Sequence, residues 1–148
     1  MRKITFLLFI AALPLVSCSS SDDKDQVGRH IKATIDGTAY TFNTLTVSTD
    51  EYTEGDFTYT DVTMTGSVNN DPAKTVSIVV MEGATGNDAS WYFGHHHDGE
   101  EFLKDDSFST IISENAGRRI KGTFSGNVVS NEDGEIKTIT NGSFEVTY

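Results

Sequence analysis

The feature that most constrains this 148-residue chain is a succession of short apolar runs separated by glycine, asparagine and aspartate. Thr, Val, Ile, Phe and Tyr dominate these runs, and nothing after residue 17 sustains the 3.6-residue apolar period of an amphipathic helix. Such runs, bounded by turn residues, are typical of antiparallel strands. The sequence therefore predicts an all-β fold, with about eight short strands in a single antiparallel domain that forms a small curved barrel or a β-sandwich.

The clearest turn signal is Asp36-Gly37, a pair that suits a two-residue type I′ turn. Pairing residues 31–35 with 38–42 across this turn places Ile31 opposite Phe42 and gathers the apolar side chains on one face. A slip of one residue would move these side chains to the other face. Turn chemistry and apolar pattern thus predict the same hairpin.

A second hairpin is predicted near the C-terminal end, around the three-residue loop Glu132-Asp133-Gly134. Its register pairs Phe124 with Gly142 and, nearer the loop, Val128 with Thr138. An aromatic ring that covers a glycine on the neighbouring strand is a device for bending a sheet. We therefore expect this hairpin to curve sharply.

Three further features are predicted for the middle of the chain. Residues 50–56 are expected to form an acidic loop, and a change of apolar phase near Asp61 suggests a bulge. Between strands at 90–94 and 108–113 we expect a polar, charged loop. A competing interpretation of the C-terminal hairpin makes Asn141-Gly142 a type I′ turn.

The chain is strongly acidic, with 22 acidic and 11 basic side chains and a formal net charge of −11. Loss of residues 1–17 would remove Arg2 and Lys3 and no acid, which leaves nine basic side chains and a formal charge of −13. No basic stripe is present, so the sequence excludes a nucleic-acid-binding function.

The first 18 residues follow a different pattern. Arg2 and Lys3 precede an apolar run at 4–16, and Leu15-Val16-Ser17-Cys18 ends this run with small residues and the only cysteine. The segment resembles a bacterial lipoprotein signal peptide with its lipobox. The resemblance implies that residues 1–17 are removed and that Cys18 carries acyl chains of the palmitate type, which anchor the protein to a membrane.

Residues 18–29 are expected to form a flexible acidic tether to a β domain at 30–148. The run Ser19 to Gln26 resembles the acidic export signal that Bacteroidota place behind the lipid-bearing cysteine, which implies an outer-membrane protein exposed at the cell surface. A simple solvated spacer would have the same composition. Residues 31–40, 122–126 and 139–144 also resemble small, uncharacterised Bacteroidota lipoproteins of all-β fold, a resemblance that implies no activity.

The run His95-His96-His97 is a candidate metal site. On an extended backbone His95 and His97 point the same way, and two imidazoles at that spacing can chelate Zn²⁺, Cu²⁺ or Ni²⁺. Asp98 or Glu100 could add an oxygen ligand. The alternative is a polar loop that binds metal as a purification tag does.

The aromatic run Trp91-Tyr92-Phe93 is a candidate ligand surface. Alternation places Trp91 and Phe93 on one face and Tyr92 on the other. If one of these faces is open to solvent, Trp91 or Tyr92 could stack on a sugar ring. The alternative is that Trp91 and Phe93 are both core residues, with Tyr92 at the surface.

No pattern of catalytic residues is present: the chain has no Gly-x-Ser-x-Gly elbow, His-Glu-x-x-His motif or phosphate-binding loop. We therefore expect a non-catalytic module without a cofactor, lipid-anchored through Cys18, that binds a surface glycan or other small ligand. The alternative function is capture of a metal or haem through the His95-His97 loop. The sequence does not identify a protein partner.

Lipidation of Cys18 can be tested directly in a bacterium of the implied type. Mass spectrometry of the membrane-associated protein should show a chain that begins at Cys18 and carries acyl mass, because a thioether-linked lipid stays on the cysteine. A freely secreted chain with an unmodified thiol would contradict the expectation.

Overall fold

A computed structural model describes residues 29–148, and within them it contains eleven β-strands and no helix. The predicted all-β, antiparallel fold is confirmed, with eleven strands in place of about eight. The strands are β1 (His30–Ile35), β2 (Thr38–Phe42), β3 (Thr44–Glu54), β4 (Phe57–Val68), β5 (Asp71–Met81), β6 (Gly86–Asn87), β7 (Ser90–His97), β8 (Glu100–Lys104), β9 (Ser109–Ala116), β10 (Arg119–Ser130) and β11 (Ile136–Thr147).

The predicted signal peptide at 1–17, the lipidation site Cys18 and the tether as far as residue 28 lie outside the described residues. Across residues 29–148, the search for a helix long and apolar enough to span a membrane finds none.

All eleven strands belong to one antiparallel sheet. Its hydrogen-bonded path runs β2-β1-β11-β10-β8-β7-β5-β4-β3, and β9 branches from β10 to pair with the short β6. The path is open: β2 and β3 stand at its two ends, although only Asn43 separates them in the chain. The sheet must therefore curve to bring its ends together.

Side-chain contacts hold the two ends of the curved sheet close. The amide oxygen of Asn43 accepts from the Asn69 backbone N–H at 2.7 Å, and its amide nitrogen donates to the Asn69 side chain at 2.8 Å. Nearby, a Cβ atom on Gly66 of β4 would lie 2.8 Å from the Cβ of Phe42 on β2. Only glycine permits this close approach of the two strands.

Tight turns define most of the hairpins. The predicted hairpin at Asp36-Gly37 is confirmed, with Ile31 opposite Phe42 and both turn residues at positive φ. Asn69-Asn70, Asp98-Gly99 and Gly117-Arg118 likewise have positive φ at both positions and join β4–β5, β7–β8 and β9–β10.

Two expectations for the middle of the chain are wrong. Residues 50–54, predicted as part of an acidic loop, continue β3, and the turn is only Gly55-Asp56. The bulge expected near Asp61 is not formed, because β4 keeps its register with β3 and with β5 through this residue. The two apolar phases of β4 occupy opposite faces of a regular strand.

The C-terminal hairpin confirms Phe124 opposite Gly142, whereas Val128 pairs with Lys137 and not with Thr138. The register shifts because β11 places one extra residue between these pairs, next to Asn141, whose φ is +53°. The loop is also longer by one residue than expected, since the Ser130 N–H donates to the Glu135 carbonyl at 2.8 Å. The competing turn at Asn141-Gly142 is wrong.

The core lies on one face of the curved sheet. Aromatic rings form a continuous row there: Phe93 lies 4.4 Å from Phe108 and 5.0 Å from Phe124, and Phe124 lies 6.2 Å from Phe144. Aliphatic side chains fill the space around the row, among them Ile31, Val62, Met64, Ile78, Ile120 and Ile139, each 0% exposed. One buried face therefore supplies the hydrophobic stabilisation of the domain.

The glycines under the aromatic rings should be intolerant of any side chain. A Cβ on Gly142 would lie 2.3 Å from the Phe124 carbonyl oxygen, which is backbone and cannot rotate away. We expect Gly142→Ala to lower the free energy of unfolding by about 2–3 kcal/mol. Gly134→Ala, with open space but a φ of +79°, should cost only about 1 kcal/mol. Urea unfolding measures the loss in the free energy of unfolding for each variant, and equal losses would contradict the explanation by close packing.

Candidate functional site

Trp91 lies in a bulge at the start of β7. Val79 of β5 pairs with Tyr92, but Val80 pairs with Ser90, so Trp91 is an extra residue without its own partner on β5. The bulge breaks the expected alternation: Phe93 is fully buried, whereas Trp91 is 58% exposed. The expectation that Trp91 and Phe93 share a face is therefore wrong.

The exposed indole is held in a fixed position. Its Nε1–H donates to Oδ1 of Asp61 at 3.1 Å, and Asp61 is itself only 5% exposed. The Tyr92 ring meets the indole edge-on at a centroid distance of 6.1 Å. A buried carboxylate thus fixes the orientation of a ring that solvent can reach.

Trp91 lines an open groove of about 700 Å³. Strands β3 and β4 contribute Tyr52, Tyr59 and Asp61 to the lining of the groove. The segment after β5 adds small and polar side chains, including Asn87. The Tyr52 ring, 48% exposed, stacks on Tyr59 at 5.5 Å. Apolar walls with a few polar groups are typical of small-molecule sites, and the volume lies in their usual range.

Tyr92, the second residue of the predicted ligand surface, does not line this groove. Its ring covers Gly94, where a Cβ would lie 2.4 Å from the hydroxyl oxygen, and the hydroxyl donates to Oε1 of Glu101 at 3.0 Å. Burial and this acceptor raise the pKa of Tyr92. Trp91 thus lines the groove, whereas Tyr92 packs over Gly94 outside it.

His95 is a core residue, not part of a polar loop. β7 continues through His97, and Asp98-Gly99 turns it directly into β8, so the loop predicted for the histidine run is wrong. His95 is 1% exposed, and its Nδ1 lies 3.0 Å from the Thr75 carbonyl oxygen. Burial lowers the pKa of His95 to about 4, which keeps the ring neutral.

His97 lies on the same face of β7 as His95, as the sequence predicts. The two rings are 5.6 Å apart, and His97 Nε2 lies 3.4 Å from Oδ2 of Asp98. Two buried ring nitrogens, His95 Nε2 and His97 Nδ1, have no hydrogen-bond partner within residues 29–148. Both residues line a cavity of about 90 Å³, together with Tyr40 and Lys137 among others.

One acidic cluster lies near the same end of the sheet. Carboxylate oxygens of Glu100, Asp133 and Glu135 come within 4.8 Å of one another. Lys137 donates to Glu135 at 2.7 Å, Ser130 donates to Glu100 at 2.5 Å, and the Glu135 N–H donates to Oδ1 of Asp133 at 2.8 Å, so local partners already engage all three acids.

Sequence reasoning missed Asp61, Tyr52 and Tyr59 as groove residues. Tyr52 and Tyr59 form a cross-strand pair around the turn Gly55-Asp56, and this pairing could have been found had that turn been recognised. The contact of Asp61 with Trp91 spans thirty residues and has no local signal.

Acid should destabilise the protein through His95. Its pKa falls from the ordinary 6.5 to about 4 on folding, so the unfolded chain binds the proton more readily between these values. The stabilisation is complete above pH 6.5 and is lost as the pH falls towards 4. From pH 7.5 to pH 5 we expect a loss of about 2 kcal/mol from this group.

Urea unfolding in EDTA at the two pH values measures this loss. His95→Gln, which retains a donor for Thr75, should show a flatter pH dependence, and His96→Gln should match the wild type. If the free energy of unfolding changed equally with pH in all three proteins, this would contradict the assignment of the loss to His95.

Within residues 29–148, the groove at Trp91 thus presents exposed aromatic area, and the pair His95 and His97 presents two buried ring nitrogens that lack hydrogen-bond partners. Comparison of the chain with models of known protein families, with curated proteins and with solved structures finds no match.

Proposed function

We propose that this protein is a lipid-anchored, non-catalytic binding module at the cell surface, and that the groove at Trp91 takes a glycan or another small ligand. The proposed location, the outer face of the outer membrane, is supported by the lipobox at Cys18 and the acidic run that follows it. The observation that carries the binding proposal is the exposed, fixed indole of Trp91.

Exposed aromatic area in the groove suits a ligand with an apolar face. Trp91 and Tyr52 are large side chains that remain about half exposed, and Met81, also in the groove, is 38% exposed. Contiguous apolar surface of this kind is uncommon on a soluble domain and marks interaction sites. The C–H face of a sugar ring is a natural partner for it.

Polar groups in the groove can select the orientation of the ligand. Asp61 offers its second carboxylate oxygen, since Oδ1 accepts from Trp91, and Asn87 and Thr85 add an amide and a hydroxyl. The formal charge of the chain is −11, which disfavours anionic ligands. A neutral ligand rich in hydroxyl groups fits these conditions best.

The fixed indole reduces the cost of binding. A side chain that is already held by a hydrogen bond and a neighbouring ring loses little rotamer freedom when a ligand stacks on it. Tryptophan in such a position is the kind of residue on which binding energy concentrates.

The groove is better suited to binding than to hydrolysis. Glycosidases use two carboxyl groups about 5–10 Å apart that flank the scissile bond. Among the described residues (29–148) that line this groove, Asp61 is the only carboxylate, and the indole already engages it.

A glycan array with the purified protein tests the proposal. We expect a defined set of hits, a loss of at least tenfold in affinity for Trp91→Ala, and an intermediate loss for Trp91→Phe. Tyr92→Phe is the matched control, because Tyr92 adjoins the indole but lies outside the groove, and it should bind as the wild type does. An array without hits, or hits that Trp91→Ala does not affect, would count against the proposal.

A further inference from the structure

We propose that His95 and His97 form an interior site for one late first-row transition ion, Cu²⁺, Ni²⁺ or Zn²⁺. The site lies on the buried face of β7, away from the groove residues, and does not depend on the function proposed for Trp91.

The hydrogen bonds of the two rings leave one free nitrogen on each. In His95, Nδ1 faces the Thr75 carbonyl oxygen at 3.0 Å, so this nitrogen carries the proton and Nε2 presents a lone pair. In His97, Nε2 lies 3.4 Å from the Asp98 carboxylate, which leaves Nδ1 free. Metal-binding histidines characteristically bond a carbonyl or carboxylate through the nitrogen that does not ligate.

Both of these nitrogens are buried and find no hydrogen-bond partner in the part of the chain that the structure describes, an arrangement that needs an explanation. A buried acceptor without a hydrogen bond costs free energy comparable to that of a lost hydrogen bond. Two such atoms in adjacent rings therefore favour one bound species that satisfies both. A metal ion satisfies both lone pairs at once.

The spacing of the rings fits a shared ion. With metal–nitrogen bonds of about 2.0–2.1 Å and tetrahedral angles, the two ring centres would lie roughly 5 Å apart. The observed separation is 5.6 Å, so small rotations of the side chains would complete the geometry.

The cavity beside the rings fits an ion and its remaining ligands. Its volume of about 90 Å³ accommodates an ion with one or two waters and is far below that of sites for larger ligands, roughly 300–1,000 Å³. Tyr40 also lines it and carries a hydroxyl oxygen.

The charge of the cavity and the type of ligand select the ion. Lys137 is the one lysine or arginine among the lining residues, and its charge is offset by Glu135 at 2.7 Å and by the nearby Asp36. Neutral imidazoles bind Cu²⁺, Ni²⁺ and Zn²⁺ well, whereas Ca²⁺ and Mg²⁺ require oxygen ligands.

Competition with a chromophoric chelator, using protein without a polyhistidine tag, tests the site with Cu²⁺ and Zn²⁺. We expect one bound equivalent, and a loss of 10-fold to 100-fold in affinity for His95→Gln and for His97→Gln. His96→Gln and His30→Gln are matched controls, since these imidazoles do not line the cavity, and they should retain the wild-type affinity. Loss of binding in His96→Gln, or failure to bind one equivalent, would overturn the proposal.

A second measurement needs no variant. In ¹⁵N NMR spectra of the wild-type protein, added Zn²⁺ should shift His95 Nε2 and His97 Nδ1, and leave the ring nitrogens of His96 and His30 in place. Shifts confined to His96 or His30 would show adventitious surface binding only. Unchanged spectra at stoichiometric Zn²⁺ would overturn the proposal.

Discussion

The described chain has one sheet and no helix to cover it, so the sheet must bury its apolar face against itself. Curvature is therefore the condition on which the rest of the structure depends. It is produced where strands approach closely over glycine, as Phe124 does over Gly142 and Phe42 does beside Gly66. The row of phenylalanine rings on the concave side then fills the space that a second layer would otherwise fill.

Within this curved sheet, one strand carries both candidate sites. The bulge at Trp91 places the indole in the groove, and regular alternation from Tyr92 onwards directs Phe93, His95 and His97 to the core side. An insertion of one residue into a strand reverses the face of every side chain on one side of it. The ligand groove and the interior histidines are thus two consequences of the same local irregularity.

Much of the fold could be predicted because turn chemistry is local. Asp36-Gly37 and the flanking alternation specify the first hairpin completely, and the pairing of Phe124 with Gly142 follows from the phase of the C-terminal strands. The equivalent pair Asp98-Gly99 carries the same signal. It was missed because the adjacent histidines and acids resemble a polar loop, and this error placed His95 in solvent.

The remaining features depend on contacts that a single strand does not show. The bulges at Trp91 and Asn141 exist only relative to a neighbouring strand, and the burial of Asp61 depends on an indole thirty residues away. Sequence reasoning therefore identified Trp91, His95 and His97 as residues of interest, and could not determine which of them solvent reaches.

The groove and the phase of β7 both depend on the exposure of Trp91 to solvent. Trp91 is the only tryptophan of the chain, so its fluorescence can be assigned without ambiguity. Acrylamide quenching of the folded protein measures the exposure directly. An exposed indole should give red-shifted emission that acrylamide quenches readily, whereas blue-shifted emission that resists quenching would place Trp91 in the core and rule out the groove.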